Sequence, residues 1–192
     1  MILTETIPAS LIFEELDGRP LYRKGYKEVL ETNSSPEEMG SSFLQGLIVR
    51  IVSTYIAQIL ENMPYWVVSG ETGLHVSRGN NLANDVAVFD KVLIKDLFSK
   101  KYADVPPKVV IEVDVKIEAE QFPDENAYIS LKSEKMIGFG TERVIWILTD
   151  ERKIMAIDRS KKWSVYGWEE SVPVFDDHQF CLSDLLKKEG VI

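Results

Sequence analysis

Between residues 43 and 60, apolar side chains arrive in adjacent pairs every four positions: Phe43/Leu44, Leu47/Ile48, Ile51/Val52, Tyr55/Ile56 and Ile59/Leu60. On a helix of 3.6 residues per turn such pairs stack into one wide apolar face, so this helix is expected to pack on a sheet rather than stand alone. Ahead of it, Ser35-Pro36-Glu37-Glu38 reads as an N-cap, a proline at the first helical position and a glutamate at the third, a capping-box arrangement. Gly40 is expected to delay the regular helix by a turn, and Pro64 to end it. The run carries Gln45, Arg50, Ser53 and Gln58. It is therefore no membrane span, which needs roughly 20 consecutive apolar residues, and no membrane partner is expected.

The sheet that this helix requires is written around it. Strand-like runs lie at 11–16 and 20–23, on either side of Asp17-Gly18, a dipeptide suited to a two-residue hairpin turn. Pro20 places the second of them at a sheet edge. Further strands are expected at 65–69, 74–77 and 86–89, a central strand at 108–117, a second helix over 124–139 stopped at Gly138 and Gly140, and strands at 143–148, 153–157 and 163–166. Short elements at 172–175 and 183–187 finish the chain. Single helices set among mixed strands predict a mixed α+β (α/β) fold, not a doubly wound parallel sheet. No internal repeat or linker breaks the 192 residues, so one domain over 1–192 is expected.

One cysteine, Cys181, excludes an intramolecular disulfide, and with only two histidines, His75 and His178, the chain offers no Cys/His zinc framework. A reduced, cytoplasmic setting is the expectation, and residues 1–8 have no basic region of the kind that opens a secretory signal. The net charge of −9 argues against a broad basic footprint for duplex DNA. Basic residues come in small groups: Arg23/Lys24/Lys27, Lys100/Lys101, Arg159/Lys161/Lys162 and Lys187/Lys188.

The chemistry concentrates in Val110-Ile-Glu-Val-Asp-Val-Lys-Ile-Glu118. With period-two geometry Ile111, Val113, Val115 and Ile117 share one face, and Glu112, Asp114, Lys116 and Glu118 the other. A wet-faced edge strand is the plain alternative; the functional reading is a metal site. Alternate strand residues stand roughly 6.5 Å apart, so Glu112 and Asp114 approach one cation region from one side. Asp85 is the expected third carboxylate, opening its strand after a polar turn. On the second helix Tyr128, Ile129, Leu131, Met136 and Phe139 form one face, with Lys132 near its middle and Lys135 at its edge. An ammonium there needs a carboxylate or a path to water, and a helix beside the central strand would aim Lys132 at Glu112 and Asp85.

Asn84-Asp85-Val-Ala-Val-Phe89, then Pro106-Pro107-Lys-Val-Val-Ile-Glu112-Val113, then Lys132 ahead of Phe139-Gly140-Thr-Glu-Arg-Val-Ile-Trp-Ile147, resembles the bacterial Uma family of restriction-endonuclease-like proteins, in the PD-(D/E)XK superfamily. The resemblance runs from the Asp17-Gly18 hairpin to the last strands. It implies a restriction-endonuclease-like core, a mixed sheet flanked by helices behind an N-terminal β-hairpin. It also implies that Asp85 and Glu112 hold Mg²⁺ or Mn²⁺ and that Lys132 is a catalytic lysine relocated from strand to helix. Two departures stand out. Asn84 replaces the usual proline, and Asp114-Val115-Lys116 puts a D-x-K on the strand itself. Asp85, Glu112 and Lys132 are the favoured set, with Asp114 as an added ligand and Lys116 as the competing lysine. Gln45, at the margin of the first helix's apolar face, is expected to be structural. The implied activity is metal-assisted hydrolysis of DNA phosphodiesters. The alternatives are a degenerate member serving as a binding or assembly module, and a hydrolase of a smaller phosphoester. A homodimer is also expected, with Trp163, Tyr166 and Trp168 as a candidate seam, although at least one of the three is expected to pack in the core instead.

Overall fold

The computed structural model describes residues 7–32 and 41–192. Ile12–Leu16 (β1) and Arg19–Tyr22 (β2) pair through the Asp17-Gly18 turn, whose two residues both have positive φ, 51° and 74°. That backbone matches the right-handed twist of the flanking strands. Pro20 sits in β2, an edge strand, where its missing N–H leaves no ladder bond unmade. A short helix, Tyr26–Thr32 (α1), follows. The long helix Phe43–Ile59 (α2) starts at Ser42, whose Oγ accepts the Gln45 N–H at 3.1 Å, and ends before Pro64 with Leu60 as its C-cap. The capping box expected at 35–38, with Gly40, lies outside the described residues.

Tyr65–Ser77 (β3) and Asn80–Asp90 (β4) form a long antiparallel hairpin, followed by Val109–Val113 (β5), Glu125–Phe139 (α3), Arg143–Leu148 (β6), Lys153–Asp158 (β7) and Trp163–Gly167 (β8). The sheet order is β2-β1-β4-β5-β6-β7-β8, with β3 on the other side of β4. Of the described strand pairs only β5 and β6 run parallel, and α3 supplies the crossover such a pair requires. A small hairpin, Ser171–Phe175 (β9) and His178–Cys181 (β10), leads into Leu182–Lys188 (α4). The result is a mixed α+β fold with helices on both faces of a mostly antiparallel sheet. None of the described helices is long and apolar enough to cross a membrane.

Two cores flank the sheet. On one side α2, α4 and the β9–β10 hairpin cover Val86, Val88, Ile111, Val113, Ile145 and Ile147; on the other, α3 covers Ala87, Val110, Val144 and Trp146 together with Leu16 and Leu21 of the first hairpin. The late aromatics divide: Trp168 is buried in the first core, while Trp163 and Tyr166 pack half-buried against the second and first respectively.

Three expectations need correction. The strands expected at 65–69 and 74–77 are one strand with a bulge, where Gly70 and Glu71 both have positive φ, 99° and 58°. Asp85 lies inside β4 and does not open it. The central strand stops at Val113, four residues early, because Asp114 adopts a left-handed backbone with φ 58°. Consequently Ile111 and Val113 enter one core while Val115 and Ile117 enter the other. The expected stripe of four charges on one face is therefore not formed.

Asp114 adopts a conformation that Asp and Asn tolerate better than most residues, and its carboxylate is held there by Thr149. Its Oδ1 accepts the Thr149 N–H at 2.7 Å and its Oδ2 the Thr149 hydroxyl at 2.8 Å. Burial raises its pKa, with the two Thr149 donors working against that rise. Asp114→Ala is expected to lower stability by about 1–3 kcal/mol, through left-handed strain and two lost bonds. Asp114→Asn should cost less, and urea unfolding of the pair measures the difference.

Candidate functional site

β4 and β5 pair as Val88↔Val109, Ala87↔Val110 and Val86↔Ile111, and this register continued by one residue sets Asp85 opposite Glu112. There the backbone ladder gives way to side chains. The Val113 N–H donates to Asp85 Oδ2 at 2.9 Å, and the Val113 carbonyl accepts from the Gln45 side-chain amide. Asp85 and Glu112 are 3% and 4% exposed, which makes their partners decisive, because a buried charge is tolerated only when it is paired.

Glu112 belongs to a closed group under α3. Lys132, 1% exposed, sets its ammonium 2.6 Å from Glu14 Oε1 and 3.0 Å from Glu112 Oε1, and donates to the Ala83 carbonyl at 2.8 Å. Glu14, from β1, also accepts the Ala83 N–H at 3.0 Å and the Tyr128 hydroxyl at 2.7 Å. Burial pushes Glu112 up to about 8; Lys132 pulls against this, and the nearby charges of Asp85 and Glu14 add to it. Burial alone would lower Lys132, but Glu112 and Glu14 together overcome it and hold the ammonium above its ordinary range. Burial, with Glu14 beside it, likewise keeps the Tyr128 hydroxyl well above its usual range, protonated and able to donate.

Asp85 belongs to a second group that opens outward. Its Oδ1 pairs with the Lys116 ammonium, which also lies 3.3 Å from Glu71 Oε1. Glu71 in turn takes both prongs of Arg23, at 2.9 and 2.5 Å. This fork holds the Glu71 carboxylate below its ordinary pKa, against burial and with help from Lys116; reciprocally, it raises Arg23. The β3 bulge turns Glu71 into this position, and the Lys116 carbonyl is fixed by the Lys24 N–H at 2.8 Å.

Lys116 and Gln45 line a cleft of about 350 Å³ beyond the C-terminal ends of β5 and β6, together with Arg23, Lys24, Asp114 and Thr149. Of the residues expected to act together, Asp85, Glu112, Lys132 and Lys116 meet in these two adjoining groups. Lys132 reaches Glu112 but pairs with Glu14 where Asp85 was expected; Asp85 takes Lys116. Asp114 stays apart on Thr149. Glu14 and Glu71 were missed. Glu14 was legible in part, since alternation puts it on the same side of β1 as the core residue Leu16. Glu71 carried no signal, because its role depends on a bulge.

Among the described residues no three of His, Cys, Asp and Glu are grouped to hold a metal. Asp85 and Glu112 remain, two oxygen donors on neighbouring strands. That number fits Mg²⁺ or Mn²⁺, hard cations that keep several waters and share their shell with a substrate phosphate. Loading would require the Lys116 ammonium to yield Asp85 Oδ1, and Glu112 to give up its proton and its contact with Lys132.

No protein-family model matches this chain, and no curated protein does. Its fold is similar to the crystal structure of a candidate nuclease belonging to DUF820 from Anabaena variabilis ATCC 29413, with a TM-score of 0.66 and 14% identity over 91% of this chain and 89% of that one. At that identity the likeness establishes the fold.

Proposed function

We propose that the protein is a metal-dependent DNA endonuclease of the PD-(D/E)XK type, with Asp85 and Glu112 holding Mg²⁺ or Mn²⁺ and Lys116 as the catalytic lysine. The observation that carries this reading is the Asp85–Lys116 pair, in which the buried Asp85, set opposite Glu112 by the β4–β5 register, is reached by a lysine that lines an open cleft. The likeness to a candidate nuclease supports the same chemistry only through the fold. The cation, when bound, supplies Lewis-acid activation of water and charge neutralisation at phosphate. The chain's own contribution is positional. Val113 N–H and the Gln45 amide fix the two strand ends, and the Arg23–Glu71 fork presents Lys116 to the cleft, where its ammonium steadies charge on a phosphate oxygen. Lys132 is sealed from the cleft beneath α3 and acts as the counter-ion of Glu112 and Glu14.

Hydrolysis of plasmid and of labelled single-stranded and duplex oligonucleotides with Mn²⁺ tests the proposal. Asp85→Asn and Lys116→Ala should each reduce the rate by about 100-fold or more, with melting temperatures showing that both variants fold. Failure of the wild type on every substrate would sink the reading.

A second reading has its own support. Asp85 is already paired with Lys116 and Lys132 already stands against Glu112, as in a degenerate member serving as a binding module. Calorimetric titration of Mn²⁺ into the wild type and Asp85→Ala separates the two. Heat that vanishes in the variant favours the enzyme; no heat from the wild type, with or without DNA, favours the module. Asp114→Asn should leave the titration unchanged, since that carboxylate is committed to Thr149.

A further inference from the structure

Residues 91–105 leave β4 and fold back along the free edge of β3. The Ala103 N–H donates to the Gly73 carbonyl at 3.0 Å and the His75 N–H to the Ala103 carbonyl at 2.8 Å, so the segment blocks that edge from pairing elsewhere. Tyr102 packs its ring against Gly73, where an added Cβ would stand 2.4 Å from the ring. Between this segment and Trp66, Val68 and Phe89 lies a cavity of about 930 Å³. Among its lining residues Leu97, Tyr102 and Trp66 are exposed, and Phe98, next to Leu97 in sequence, is 93% exposed. Clustered exposure of that kind marks a surface that something covers.

Lysines are interleaved with these side chains. Lys91 lies over the Trp66 ring at 4.6 Å, and Lys95, Lys100 and Lys101 are exposed, with no ion pair to any described residue. Four lysines stand here against three aspartates, Asp90, Asp96 and Asp104, of which Asp90 caps the Val92 N–H at 2.9 Å and Asp96 the Phe98 N–H at 3.0 Å. In a chain of net charge −9 this is a locally cationic, aromatic surface. A second copy seated by two-fold symmetry would bring the same lysine-bearing patch to both sides of the interface, which opposes self-pairing. A partner with negative charge and flat apolar faces meets both features.

We infer that this surface binds single-stranded nucleic acid, with phosphates on Lys95, Lys100 and Lys101 and bases stacked on Phe98, Tyr102 and Trp66. Stacking on aromatics and phosphate contact with lysine are the two physical components of such recognition. The inference goes beyond the nuclease proposal and needs no hydrolysis at Asp85.

The test is fluorescence anisotropy of the full chain with a labelled oligothymidylate of about 15 nucleotides, in EDTA, between about 50 and 200 mM salt. The wild type should bind, and more weakly as salt rises. Phe98→Ala should weaken binding by about tenfold with the salt slope kept, and Lys100→Glu/Lys101→Glu by at least as much with the slope reduced. Both changes lie on exposed residues, and circular dichroism checks that the variants fold. No binding by the wild type, or variants that bind as it does, overturns the inference. So does a dimer in sedimentation that Phe98→Ala abolishes, which would assign the surface to a second copy. Because EDTA prevents metal-dependent cleavage, a chain that binds here yet never cuts sinks only the nuclease reading.

Discussion

Lys132→Met is expected to destabilise the fold by about 3–5 kcal/mol at neutral pH, the usual cost of removing one partner from a buried charge group. Methionine keeps most of the volume, so packing is largely preserved and the loss is electrostatic. Glu14 would be left buried under α3 without the ammonium that stands 2.6 Å from it, and Glu112 would lose the same ammonium at 3.0 Å. The carbonyl of Ala83 would lose a donor as well. Urea unfolding measures the loss. Neutralising the carboxylates in the same background, as Glu14→Gln/Lys132→Met/Glu112→Gln, should recover much of it, because an uncharged group carries no desolvation penalty of that size.

The second large effect is a dependence on pH. In metal-free buffer, Glu112 is expected to make the wild type less stable as pH rises from about 4.5 to about 8, relative to Glu112→Gln. The sign follows from where the proton sits. An unfolded glutamate releases it near 4.5, whereas burial holds it on folded Glu112 to about 8. Between those values the folded chain binds more protons, so raising the pH favours unfolding; below 4.5 both states are protonated, and above 8 both are ionised and the cost is constant. The span is on the order of a few kcal/mol. Glu71 works in the opposite sense, its pKa being lowered by Arg23: it adds stability above its unfolded value that is lost as pH falls. Comparing wild type with Glu112→Gln, by melting temperature from pH 4 to 9 in EDTA, cancels Glu71 and isolates Glu112. A pair of parallel curves would contradict the burial of a protonated carboxyl there.

Much of this architecture was legible in local pattern. The Asp17-Gly18 turn, β6 at 143–148 and the helix capped by Asp124 occur where residue chemistry and periodicity put them. The mixed α+β class follows from those elements. What escaped was decided by tertiary contact. Asp114 has an unremarkable place in an alternating run, and only its two bonds to Thr149 show why the strand turns there. Lys132 announced itself as a buried cation, but its chief partner, Glu14, is 118 residues away, and no spacing rule links them. Lys116 owes its position to a bulge in a different strand. Gln45, expected to be structural, does brace a strand, and it does so at the wall of the cleft. Positions of elements were thus local information; pairings among charges were not.

The separation of Glu14 from Lys132 also bears on the order of events when the chain folds. Contacts this distant in sequence must wait until the intervening loop has closed, and the loop here includes β2 to β5. The first hairpin can form early through its own turn, but it can deliver Glu14 only once β4 is in place to receive it, since Ala83 binds the same carboxylate. Desolvation of Lys132 is therefore expected to be a late step, taken after the barrier. Weakening Glu14 should accelerate unfolding while leaving the refolding rate almost untouched. On that account the N-terminal hairpin works as a latch: it adds little to how fast the protein assembles and much to how long it stays assembled.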